Sequence, residues 1–165
     1  TKTDLTSMGK ILFMALIVAL DQIVKAIVTV HIPLGAAVKA LPGIFHWTYL
    51  QNTGAAFSML QGGRWLFALV CVGGLIVTAI LIKKKILTSR FELWCLAAIF
   101  GGGIGNLIDR IRLGYVVDMI EVDFMNFAVF NIADCFITCG AVALFVYILF
   151  FDKSGKKEKK NDPAA

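Results

Sequence analysis

The run ILFMALIVALDQIVKAIVTV, residues 11–30, decides the fold. Its 20 residues, rising 1.5 Å each, reach about 30 Å, the thickness of a bilayer's hydrocarbon core, so the run reads as a membrane span. Asp21, Gln22 and Lys25 interrupt it, and polar groups at that depth need a partner or a task. Three more spans follow. Trp65 to Ile82 carries 18 residues without a charge, bounded by Arg64 on one side and by Lys83, Lys84 and Lys85 on the other. The third, about 91–108, is Gly-rich and borrows Phe91, with Glu92 expected to reach toward the interface. The fourth, 132–151, has Asp134 near its start. Composition agrees: 59% of the 165 residues are hydrophobic and only 16% charged, with a mean hydropathy of +0.82, which excludes an ordinary soluble domain.

The chain is therefore expected to be an α-helical polytopic membrane protein, a single membrane domain over 1–165, with residues 1–9 set aside from the fold reading. Basic residues assign its sidedness, because cytoplasmic segments retain Lys and Arg. Lys2 and Lys10 before the first span, Lys83, Lys84, Lys85 and Arg90 after the second, and Lys153, Lys156, Lys157, Lys159 and Lys160 after the fourth make eleven. The opposite side holds four: Lys39, Arg64, Arg110 and Arg112. Both termini are expected in the cytoplasm. The net charge of +5 is then a topological and anionic-lipid signal centred on the basic tail, 152–165, and not a nucleic-acid patch.

The two outer segments, 31–64 and 109–131, hold most of the unusual polar residues, which places function on the outer side. Phe45, Trp47 and Tyr49 recur at period two within Ile44 to Leu50, and Tyr115 to Val122 is rich in β-branched residues. Both read as short strands lying on the outer membrane surface, a small β-cradle beside four transmembrane helices. Trp47, Tyr49 and Trp65 also suit an interfacial aromatic belt.

Asp21 and Lys25, spaced i,i+4 with the acid first, share a helical face in the order that favours pairing. They form either a neutralising ion pair or a support beside a site. Gly101 and Gly105 have the spacing of close helix contact. Asn106, Asp109 and Arg110 fall at i, i+3 and i+4, so an amide and a guanidinium reach the membrane boundary together. Asp118 follows Gly-Tyr-Val-Val, with Glu121 and Asp123 as nearby decoys. Asp134 lies three residues after Asn131, a spacing that also suits a helix cap. If Asp118 and Asp134 meet, repulsion and burial raise one pKa and the pair shares one proton, the state an aspartic peptidase requires.

Other chemistries find little support. There is no HExxH, and His31 and His46 lack ligand spacing, so no metal site is expected. No GxSxG is present, and a Ser58 dyad with Lys25 or Lys39 is remote. Cys71, Cys95, Cys135 and Cys139 read as small apolar packers, and helical geometry disfavours a disulfide between Cys135 and Cys139.

Four stretches together resemble one family: Asp21-Gln-Ile-Val-Lys25, Asn52-Thr-Gly54-Ala-Ala-Phe57, Gly105-Asn106-Leu-Ile-Asp109-Arg110 running through Gly114-Tyr-Val-Val-Asp118, and Phe130-Asn131-Ile-Ala-Asp134. The chain resembles the bacterial lipoprotein signal peptidases, signal peptidase II. The resemblance implies an aspartic endopeptidase of the bacterial inner membrane, for which no cofactor is expected and a monomer is the expected state. Such an enzyme removes signal peptides from diacylglyceryl-modified prolipoproteins, cutting just before the lipidated Cys, at the outer face among membrane lipids. It maps the catalytic acids onto Asp118 and Asp134. Supporting positions map onto Asp21, Lys25, Asn52, Gly54, Asn106, Asp109, Arg110 and Asn131. Among these, Asn52 and Asn131 are expected to orient substrate or acids, and Arg110 to fix a neighbouring carbonyl or loop. A lid is expected from one of the outer segments. Cys135 departs from the Ser or Thr that similar sequences place after the second acid, which weakens support for that acid. The rival readings are a non-enzymatic lipid-binding or proton-coupled transport protein, and a redox protein using Cys135 or Cys139.

Overall fold

The computed structural model describes residues 2–54 and 89–151, with 69, 72–74, 76–78, 80 and 83–84 between them. Three helices there are long and apolar enough to cross a membrane. They belong to α1 (Lys2–His31), α2 (Arg90–Arg112) and α3 (Ile132–Phe150). The expected span 65–82 and the tail 152–165 lie largely or wholly outside the described residues, as do Cys71 and Ser58. Leu12, Leu16, Leu20, Ile23 and Ile27 of α1 and Val142, Phe145 and Leu149 of α3 are exposed, which suits lipid-facing stripes and not a soluble surface.

Glycine decides how closely the helices approach. A Cβ on Gly101 would stand 3.1 Å from the Ile17 side chain, and one on Gly105 2.6 Å from Asp21 Oδ2, so α2 meets α1 through glycine. A Cβ on Gly102 would drive into the Ala133 carbonyl oxygen, and one on Gly140 would stand 2.9 Å from the Cys95 carbonyl, which is the same device between α2 and α3. At its N-terminus α2 is closed by a capping box, with the Ser89 hydroxyl accepting from Phe91 N and Glu92 accepting from Ser89 N at 2.9 Å. Glu92 is thus buried and turned back on the cap at the N-terminal end of α2.

Three antiparallel strands follow the order β1 (Ala37–Leu41), β2 (Phe45–Asn52) and β3 (Val116–Val122). β1 was not expected from sequence. AVKAL has no period-two contrast, and only its pairing with β2, Val38 opposite Trp47, makes it a strand. Val117 and Met119 of β3 pack on Val28 and Ile32 at the end of α1, with Trp47 and Tyr49 beside them. Successive strand residues point to opposite faces, so Asp118 faces away from that core. The chain then turns back: Phe130 exchanges backbone hydrogen bonds with Ile120, 2.8 and 3.1 Å, which fixes the start of α3 against β3.

Gly102→Ala is expected to destabilise the fold by about 1–3 kcal/mol, because its methyl meets backbone rather than a yielding side chain. Gly9→Ala, whose methyl would reach only ordinary contact with Trp94 at 3.7 Å, is expected to be neutral. Thermal unfolding in detergent checks the pair.

Candidate active site

Asp118 is fully buried on β3, yet both carboxyl oxygens are occupied: Asn52 donates to Oδ2 at 2.9 Å and Asn131 to Oδ1 at 2.6 Å. Burial pushes its pKa up to about 6, against the opposing pull of the two amide hydrogen bonds and with a further upward push from Asp134. Asp134 stands in the first turn of α3, where Asn106 donates to its Oδ1 at 2.8 Å and the Asn131 backbone N–H reaches its Oδ2 at 3.3 Å.

Asn131 joins the two acids. Its side-chain oxygen caps α3 by accepting from Asp134 N at 2.9 Å, while its side-chain N–H is the one that holds Asp118. The cap and the site are therefore one structure. The sequence had left them as alternative explanations of Asp134.

Behind Asn106 lies a second polar group. The Lys25 ammonium contacts Asp21 Oδ2 at 2.8 Å, Asp109 Oδ2 at 2.9 Å and Asn106 Oδ1 at 3.0 Å, all with buried side chains. Asp21 also accepts from the Ala133 N–H at 3.0 Å, and Asp109 from the Val117 N–H at 3.1 Å. The expected i,i+4 pair exists, enlarged by Asp109 to a trio. Arg110 donates to the carbonyls of Gly54, 3.3 Å, and Asn106, 3.4 Å, and the Gly54 N–H donates to Asn52 Oδ1 at 3.0 Å. Arg110 thus fixes the Gly54 carbonyl, as expected of it.

Asp118 and Asp134 face one cavity of about 490 Å³, together with Asn52, Asn106, Arg110 and Asn131. Phe127 to Phe130 form another wall, and Ile137 and Thr138 extend the lining along α3. Cys135 and Cys139 line it as well, so the reading as packers suits buried Cys95 and not these two. Asp21, Lys25 and Asp109 stand behind the cavity and do not line it. Glu121 and Asp123 are engaged elsewhere. They hold His46 at 2.9 and 2.6 Å, and the Asp123 hydrogen bond is the main cause of an upward shift in the His46 pKa. Among the described residues no group of three or more His, Cys, Asp or Glu converges as metal ligands would.

The family model for signal peptidase (SPase) II matches residues 13–150. The chain belongs to the signal peptidase II family. A lipoprotein signal peptidase of Streptococcus agalactiae serotype Ia is 44% identical over 85% of this chain and 91% of its own length. One from Streptococcus thermophilus is 45% identical over 84% and 90%, and one from Enterococcus faecalis 40% over 90% and 92%. A solved bacterial membrane enzyme, crystallised in meso, superposes with a TM-score of 0.80 at 27% identity, covering 95% of this chain and 93% of its own.

Sequence reasoning missed the part of Gln22. Its side-chain N–H groups reach Asp109 Oδ1 at 2.9 Å, the Gly105 carbonyl at 3.2 Å and Asp21 Oδ2 at 3.3 Å, so it knits α1 to α2 beside the trio. The signal was available, an amide inside an apolar run. The Asp21 bond to the Ala133 N–H, and the cavity wall from Phe127 to Phe130, had no sequence signal at all.

Asn131→Ala is expected to cost about 0.5–2 kcal/mol for the lost cap, with loss of signal-peptidase activity. Asn131→Ser restores an acceptor for the cap but cannot donate across to Asp118 in the same geometry. Its thermal midpoint is expected to recover while activity does not.

Proposed function

We propose that this chain is a membrane aspartic endopeptidase that removes the signal peptide from diacylglyceryl-modified prolipoproteins, cutting just before the lipidated Cys, with Asp118 and Asp134 as its catalytic pair. The observation that carries the reading is the placement of both acids on one cavity at the end of membrane helices, joined through Asn131. A cleavage site held at the membrane boundary by its own acyl chains meets such a cavity without leaving the bilayer. The excess of Lys and Arg outside the two outer segments supports cytoplasmic termini, with the cavity at the outer face. We further propose that the chain acts as a monomer in contact with membrane lipids.

In the reaction, Asp118 carries the proton of the pair and passes it to the scissile carbonyl oxygen as water adds to the carbonyl carbon. Asp134 takes a proton from the water that attacks the carbonyl carbon. The tetrahedral diol collapses as the Asp134 proton passes to the leaving nitrogen, breaking the C–N bond. The diol's proton returns to Asp118 as the new carboxyl group forms. Asn52 and Asn131 keep Asp118 oriented, and the Arg110 contact with Gly54 holds the outer segment over the site. A transport path is not favoured, because Asp21 and Lys25 are engaged with one another behind the cavity and do not continue it.

The first test incubates purified protein in detergent with a lipid-modified prolipoprotein and an unmodified control. Wild type is expected to cut only the modified form, at the bond before the lipidated Cys, and Asp118→Asn and Asp134→Asn are each expected to lose about 100-fold or more in kcat. Retained cleavage in either variant refutes the pair.

A second test follows pH. Since the Asp118 pKa is raised to about 6, its proton is present below that value and lost above it, leaving Asp118 no proton for the carbonyl. The expected kcat/KM falls as pH rises through about 6, and the kcat limb lies higher because bound substrate adds burial. A kcat/KM that keeps rising above that pH removes Asp118 from the proton-carrying role.

A further inference from the structure

A side-chain amide presents an oxygen on one side and two N–H donors on the other, and its two flipped orientations have almost the same shape, so only its neighbours decide between them. For Asn106 the deciding neighbour is Lys25. An ammonium has three donors and no acceptor. Those of Lys25 are directed to Asp21 Oδ2, Asp109 Oδ2 and Asn106 Oδ1. Asn106 must therefore show its oxygen to Lys25, which leaves its N–H groups for Asp134 Oδ1, 2.8 Å away. The flipped amide would set N–H against ammonium and oxygen against carboxylate, two repulsions inside a poorly solvated region.

We infer that Lys25 is a positioning residue for the cleavage, fixing the Asn106 amide so that a donor always faces Asp134 while the acid's remaining lone pairs stay turned to the attacking water. This inference rests on the functional reading above. Lys25 does not line the cavity and touches no reacting atom. Its influence passes through Asn106, while Asp21 and Asp109 hold the ammonium in place from the other side.

Lys25 also neutralises two buried acids, so its loss has a structural effect that must be separated from its effect on Asn106. A double-mutant cycle does so. In detergent, kcat and KM on a lipid-modified prolipoprotein are measured for wild type, Lys25→Gln, Asn106→Ala and the double variant. Glutamine accepts as well as donates and so releases the amide. The expected result is a fall in kcat of about 10-fold or more for Lys25→Gln with KM within about 2-fold, and a loss of about 2-fold or less for the same change in the Asn106→Ala background. Equal losses in the two backgrounds overturn the inference.

Asn106→Asp decides the matter if Lys25→Gln does not fold. Its carboxylate keeps an acceptor for Lys25 but has no N–H for Asp134. A kcat at least about 10-fold down with a wild-type thermal midpoint supports the inference, and a wild-type kcat overturns it. A wild-type chain that leaves the substrate intact instead overturns the functional reading, and this inference with it.

Discussion

The ammonium of Lys25 sits inside an apolar helix where water cannot solvate it, and the arrangement of the elements around it follows from that constraint. Two carboxylates come to it, Asp21 from its own helix and Asp109 from α2, and each also accepts from the backbone of a further element. Asp21 accepts from the first turn of α3 and Asp109 from the start of β3. Three helices and one strand are thus tied to a single buried charge. The glycines at 101, 102 and 105 make this possible, because a side chain at any of them would hold the helices too far apart for those bonds. Burying such a group is weak evidence for stability and better evidence for geometry. Here the geometry it sets is that of a site a few ångströms away.

Asn131 shows how a local helix rule and the joining of two acids on one cavity are met by one residue. Its oxygen satisfies a backbone donor at the start of α3, which any capping side chain does. Its other end reaches Asp118 on a different element. The backbone exchange between Phe130 and Ile120 keeps the two within reach by fixing the approach of α3 to β3. β3 in turn is placed by the packing of Val117 and Met119 on α1, and strand alternation then leaves Asp118 no face but the cavity's. A one-residue slip of β3 would send a valine or methionine there instead.

The sequence reading and the structure agree most closely where the physics is local. The helical spacing of Asp21 and Lys25, the cap at Asn131 and the period-two aromatics of β2 are all short-range patterns, and each corresponds to what is found. They part where a contact joins distant segments. β1 is not legible in the sequence because its residues have no period of their own and it exists only by pairing. The task of Gln22 is not legible in the sequence, since two of its three acceptors, Gly105 and Asp109, belong to α2.

What the amino-acid sequence determines alone is the set of apolar spans, the unusual polar residues within and between them, and, through four short motifs, the family. Spans are set by length and hydropathy over twenty or so neighbouring residues, and motifs by order along the chain, so neither needs a third dimension. The tertiary structure decides which acids face one cavity, that Asp109 and Gln22 complete the group around Lys25, and which way the Asn106 amide is turned. Those depend on hydrogen bonds between residues up to more than eighty positions apart, whose direction is settled only when packed helices bring donor and acceptor to within about 3 Å.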